Sequence, residues 1–145
     1  ASNTPPDCVQ AVISWSGAMD LKTLADVELL GCPPASCPPG LARIASPLSY
    51  ISVTSPPFLI VHGGADARVP PDQAQKFHDA LRAKNVPAEL VIIPGVGHAL
   101  ARNGADDPAV DRQALEKVAA FLSRTFPPGP IGQKVAGPRG RGPVY

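Results

Sequence analysis

Neither sign of charge dominates this sequence of 145 residues: 13 Lys and Arg stand against 12 Asp and Glu, a formal net charge of +1. That balance removes the electrostatic reason to expect nucleic acid as a partner. Long hydrophobic runs are missing as well; the longest apolar stretches are strand-sized, so no membrane span is expected. No basic-then-apolar leader opens the chain, so a secretion signal is expected to have been removed or never to have been present. Cysteine is scarce, at three residues. The C-x4-C spacing of Cys32 and Cys37, with no second pair and no nearby His, is a poor zinc site, so no metal is expected. It allows either a local disulfide, which implies an oxidising compartment, or two free thiols. Cys8, just before an apolar run, reads as a buried thiol.

What the chain does have is an ordinary apolar content of 44 % and enough length for one domain with a sizeable core. Its 19 prolines cluster near 5–6, 33–39, 56–57, 70–71 and the last twenty positions, where they mark loops and turns. Between them lie the periodic segments. Val9–Trp15 is rich in β-formers and predicts a strand, ended by a turn over Ser16–Asp20. Leu21–Leu30 predicts a helix with Leu21, Leu24, Ala25 and Val27 on one face, stopped by Gly31. Residues 31–57 read as a long irregular connection, a length that is usually functional. Phe58–Val61 and Leu90–Ile93 are short apolar runs with the composition of buried strands. Between them, Pro70-Pro71 opens a helix ending at Asn85, with Ala74, Phe77, Ala80 and Leu81 inward and Lys76, Asp79, Arg82 and Lys84 in water. Asp107-Pro108 caps a last helix with Val110, Ala114, Leu115, Val118, Ala119 and Leu122 inward.

The expected fold class is therefore α/β: a parallel sheet of about three strands flanked by helices, in the order β, α, long loop, β, α, β, α. One domain over residues 1–128 is expected, followed by a disordered Gly/Pro/Arg tail over 129–145 without apolar periodicity.

Two apolar strands each run into a Gly-rich loop. The first delivers Asp66, the second His98. A helix between parallel strands returns the chain to the same edge of the sheet, so both side chains are expected where ligands bind in such sheets. An Asp beside a His is a chemical unit: the carboxylate fixes the imidazole tautomer and stabilises the imidazolium formed when it takes a proton. Gly95 and Gly97 permit the turn that aims His98 back across the edge. Taken singly, an Asp after a strand is usually a turn residue and Gly-His is a common dipeptide; the joint placement is what carries the chemistry.

The run Pro57-Phe58-Leu59-Ile60-Val61-His62-Gly63-x-x-Asp66-x-x-Val69-Pro70, with Gln73 and then Pro94-Gly95-x-Gly97-His98, resembles the C-terminal half of α/β-hydrolase esterases. The acetyl/feruloyl-esterase and lipase-like branch is most similar, and it also resembles the catalytic domain of prolyl oligopeptidases. The likeness extends upstream through Val9–Gly17, Leu29-Leu30-Gly31-Cys32, Cys37-Pro38 and Ala45–Tyr50, and covers roughly residues 9–124. It implies that the three strands are the sixth, seventh and eighth of that sheet, with Asp66 as triad acid and His98 as triad base. It further implies that Trp15, Met19 and Val69 border the acyl or alcohol pocket. No cofactor is implied.

The departure from the pattern is as clear as the match. That family carries its serine in a Gly-x-Ser-x-Gly elbow before the sixth strand, and no such motif occurs in this sequence. His62-Gly63-Gly64 imitates an oxyanion motif in letters only; its place before Asp66 makes His62 a structural strand-end residue. Ser16, after the first strand, is the remaining candidate nucleophile, ahead of Ser46 and Ser49 in the long loop. Cys8 stands at the wrong end of its strand, and His78 falls on the solvated side of a helix. The leading expectation is half of a serine-type carboxylic ester hydrolase, completed by an N-terminal half that brings the serine. A non-catalytic module acting by binding, and a small esterase using Ser16, are the alternatives. A bare strand edge at Val9–Trp15 is expected to take that half or a second copy. Cysteine usage favours a secreted or periplasmic location over a cytoplasmic one.

Overall fold

A computed structural model describes residues 9–24, 30–32, 36–38 and 40–128. Cys8, Ala25, Val27, the prolines at 33–34 and the tail from residue 129 lie outside the described residues, as does most of the helix expected after Leu24.

Three parallel strands form one open sheet in the order β1 (Val12–Trp15), β2 (Phe58–Gly63), β3 (Ala88–Ile93). Register runs Val12 to Phe58 and Phe58 to Ala88, so all three strands finish at one edge. Helix α2 (Asp72–Ala83) crosses from β2 to β3, and α3 (Pro108–Thr125) follows β3. The alternation of β2 splits the core in two. Leu59 and Val61 face α3, packing with Ile93, Val96, Leu100, Val110, Ala114 and Phe121. Ile60 faces α2, with Ala74, Phe77, Leu81 and Val86. Phe58 meets Phe77 edge to face, ring centroids 5.3 Å apart. A strand covered on both faces reads as an unbroken apolar run, and Leu59, Ile60 and Val61 are wholly buried. Each contributes roughly 1.5–3 kcal/mol of burial.

Several boundaries differ from the sequence expectation. Strand β1 begins three residues late, and Val9 is exposed. Of the helix expected over Leu21–Leu30, the described residues show a 3-10 turn, Leu21–Thr23, capped by the Asp20 carboxylate, and extended backbone at Leu24. The long connection is not wholly irregular: it contains α1 (Leu41–Ala45) and a 3-10 turn, Pro47–Tyr50. Cys32 and Cys37 are disulfide-bonded, with Cα atoms 5.4 Å apart, beside the small cluster of Leu21, Leu30 and Ala42. In α3 the Asp107 side chain caps Ala109 N as expected, but the buried stripe is Val110, Ala114 and Phe121, with Val118 half-buried. Leu115, Ala119 and Leu122 are exposed, because at about 100° per residue they lie beside that stripe rather than on it.

Candidate active site

The backbone holds the loops after β2 and β3 together before any side chain contributes. Gly64 N donates to the Ile93 carbonyl at 2.8 Å, and Ala65 N donates to the Val96 carbonyl at 2.8 Å. The approach is close enough that a Cβ on Gly63 would lie 2.3 Å from the Gly97 carbonyl oxygen. Beyond Ile93, Gly95 takes a left-handed φ of +68°. Gly97 does not (φ −90°); the residues that turn the chain under His98 are Ala99 and Leu100, at φ 54° and 60°. Left-handed non-glycine residues cost about 1–2 kcal/mol each. Here the turn is held by Gly97 N on the Ala101 carbonyl (2.7 Å) and Ala101 N on the His98 carbonyl (3.1 Å).

This stitching brings Asp66 and His98 into direct contact. Asp66 is 3 % exposed. Its Oδ1 accepts from Arg68 N (3.0 Å) and Val69 N (2.8 Å), and its Oδ2 lies 2.9 Å from His98 Nδ1. Because a carboxylate oxygen accepts, Nδ1 of a neutral His98 carries the proton and Nε2 keeps its lone pair. Nε2 makes no hydrogen bond among the described residues, and the side chain is 35 % exposed. The imidazole is thus oriented from behind and free in front, the form that takes a proton from a hydroxyl.

Other residues singled out from the sequence are placed differently. Ser16 closes β1 with its N–H on the Val61 carbonyl (3.0 Å) and a left-handed φ of 50°; its buried hydroxyl has no hydrogen-bond partner among the described residues. The loop after β2 lies between it and the loop of His98, since β2 is the middle strand. Ser46 Oγ is fully engaged, accepting from Leu21 N and donating to the Ala42 carbonyl. Ser49 is exposed. His78 pairs with Asp79 at 3.0 Å on the surface of α2. Trp15, Met19 and Val69 do not form one wall. Trp15 is exposed and pairs in register with Val61 on the α3 face, whereas Met19 is buried against the α2 face. Val69 is buried, and its backbone serves Asp66 and His62. A groove of about 420 Å³ contains Met19, Ser14, Tyr50, Phe58 and Phe77. Its lining includes Val12 and Phe58, which begin β1 and β2, but neither Asp66 nor His98.

One polar residue on a buried stripe, named in the sequence only as part of the motif, has a structural role that the sequence did not suggest. Gln73, on the same face of α2 as Ala74, Phe77 and Leu81, is buried. Its Oε1 accepts from Met19 N (3.0 Å) and Asp20 N (2.7 Å), and its Nε2 donates to the Asp20 carbonyl (3.0 Å) and Thr23 Oγ1 (2.6 Å). It clamps the loop after β1 to α2. A polar side chain in phase with the apolar stripe was the available signal. Among the described residues, no three His, Cys, Asp or Glu side chains gather as a metal ion requires. No described helix is long and apolar enough to cross a membrane.

The family model of the prolyl oligopeptidase family matches residues 7–128. The chain belongs to that family. Among curated relatives, Esterase LipC of Mycobacterium tuberculosis is 38 % identical over 89 residues, 59 % of this chain and 21 % of its own length. The human acylamino-acid-releasing enzyme is 36 % identical over 95 residues, 61 % of this chain and 13 % of its own length. The chain therefore spans about a fifth or less of these two relatives. Of solved structures, the apo form of Thermogutta terrifontis esterase 2 superposes with a TM-score of 0.65 at 26 % identity, over 83 % of this chain and 44 % of that one. The three strands and their helices are part of an α/β-hydrolase sheet, as the motifs implied.

Proposed function

We propose that this member of the prolyl oligopeptidase family supplies the acid and the base of a serine-type carboxylic ester hydrolase. One observation carries the reading: the 2.9 Å contact of Asp66 Oδ2 with His98 Nδ1 at the finishing edge of parallel strands. Ester bonds are preferred to peptide bonds because the similar solved structure is an esterase and LipC carries that name. In this reading an N-terminal half brings the serine and the oxyanion donors. His98 Nε2 takes the serine proton as the oxygen attacks the ester carbonyl, and Asp66 stabilises the imidazolium formed. The imidazolium returns the proton to the departing alcohol. Water, deprotonated by the same Nε2, then attacks the acyl-enzyme. The bond to the serine oxygen breaks, that oxygen takes the proton back from the imidazolium, and the acid is released. No step requires a cofactor.

In this reading the N-terminal half joins the sheet at β1, which among the described residues has one neighbouring strand. Residues up to 128 form the partial hydrolase domain. The Cys32–Cys37 disulfide supports a secreted or periplasmic location.

Turnover of p-nitrophenyl acetate and labelling by a fluorophosphonate probe test the reading, with this chain alone and joined to an upstream half carrying a Gly-x-Ser-x-Gly serine. The joined enzyme is expected to turn over and to label at that serine, and the lone chain to do neither. Asp66→Asn is expected to lower kcat by about 10⁴-fold, the cost of a wrong tautomer in such a triad. Labelling of Ser16 in the lone chain favours the self-sufficient small esterase. A joined protein that binds the probe nowhere favours the non-catalytic module.

A further inference from the structure

His62 is a buried imidazole for which the proposed reaction has no use. Its side chain is wholly enclosed at the end of β2, four positions before Asp66. Nε2 lies 2.8 Å from the Val69 carbonyl oxygen and 3.4 Å from Oδ2 of Asp66. A carbonyl and a carboxylate both accept, so the proton of the ring sits on Nε2 and is shared unequally between them, chiefly with Val69. Nδ1 has no hydrogen-bond partner among the described residues, so a second proton there would be buried without an acceptor. The geometry selects the neutral Nε2–H tautomer.

The consequence lies in what Val69 does. Its N–H, with that of Arg68, holds Oδ1 of Asp66, and its carbonyl is held by His62. The ring therefore ties the far end of the acid's loop back to the strand that begins it. The Nε2–H of the ring also lies 3.4 Å from Oδ2, the carboxylate oxygen that His98 engages. We propose that His62 is a positioning residue for Asp66: it fixes the plane of the carboxylate, and thereby keeps His98 in its Nδ1–H tautomer. This rests on the reading of Asp66 and His98 as an acid–base pair. A core histidine that only fills space and satisfies Val69 would leave His98 indifferent to its replacement.

With only three histidines in the sequence, side-chain ¹⁵N spectra of the labelled chain resolve each ring. The wild-type protein is expected to show His62 protonated on Nε2 and His98 carrying a slowly exchanging proton on Nδ1. His62→Phe keeps a ring of similar size but no donor. It is expected to lose the protected His98 proton and to mix His98 tautomers, while the amide spectrum of the three strands persists. His62→Gln, whose amide nitrogen reaches the position of Nε2, is expected to keep the wild-type His98 signature. A folded His62→Phe protein with His98 unchanged would overturn the proposal, as would a folded His62→Gln protein that loses the signature. If neither variant folds, the wild-type spectrum decides: a proton on His62 Nδ1 instead of Nε2 refutes it. A wild-type chain lacking any protected His98 Nδ1 proton fails the acid–base pair itself, which separates the two readings.

Discussion

Gly63 is the joint on which the two functional loops meet. Its missing side chain lets β2 pass so near the chain after β3 that an added Cβ would lie 2.3 Å and 2.4 Å from the carbonyl oxygens of Gly97 and Val96. Both are backbone atoms, and the Val96 oxygen also accepts from Ala65 N, so neither can yield cheaply. Gly63→Ala is expected to cost about 1–3 kcal/mol, the range of overpacking in a rigid site. It should also pull His98 from Asp66. Urea unfolding and the His98 ring resonance measure the two effects, and a variant as stable as the parent would show that the loops are not tightly apposed. The reverse case is the surface of α2, where Gln75 first and His78 second hold the exposed Asp79 carboxyl below its usual range. A lowered carboxyl stabilises the fold above its ordinary pKa and stops doing so as acid protonates it, but an exposed group changes little.

Elements are positioned here by side chains that reach between them. Gln73 spends both ends of its amide on the loop after β1, and Ser46 holds Leu21 N from the other side. Together they fix the 3-10 turn Leu21–Thr23, because Asp20 and Thr23 bond Gln73 as well as one another. Gln73→Ala strands two buried N–H groups, and is expected to destabilise the protein by about 2–4 kcal/mol. Hydrogen exchange at Met19 and Asp20 should accelerate selectively; uniform protection across both amides would sink the clamp. By contrast, Arg124 of α3 meets Glu89 of β3 with both contacts under 3 Å, yet both side chains are about half exposed. That pair is worth about 0–1 kcal/mol.

For the molecule as a whole, the side of β1 away from β2 carries no strand among the described residues. In a parallel strand alternate residues bond alternate neighbours, and Val12 and Ser16 donate toward β2. Ile13 and Trp15 therefore point their N–H groups away from β2. Free in solution, the chain is expected to self-associate through this edge, with sedimentation coefficients that rise with concentration. Trp15→Pro removes one outward donor and no bond to β2, so it is expected to weaken that association without unfolding the sheet. A monomer at all concentrations, wild type and variant alike, would rule the edge out as the contact.

The sequence by itself determined the parts whose signals are local. The apolar runs of β2 and β3, the Asp107-Pro108 cap, the stripe of α2, and the placement of Asp66 and His98 at one edge all follow from patterns a few residues long. The Cys32–Cys37 pairing is the opposite case: local spacing left it open, and the close approach of the two Cα atoms decided it. Only tertiary structure decided which face of α3 is inward, where the first strand starts, and that Trp15 and Met19 lie on opposite faces of the sheet. It alone gave Gln73 and His62 their partners. A hydrogen bond between residues 53 positions apart leaves no periodicity in either segment. Its selection depends on which buried donors remain unpaired once the backbone has packed, and that is a property of the assembled core.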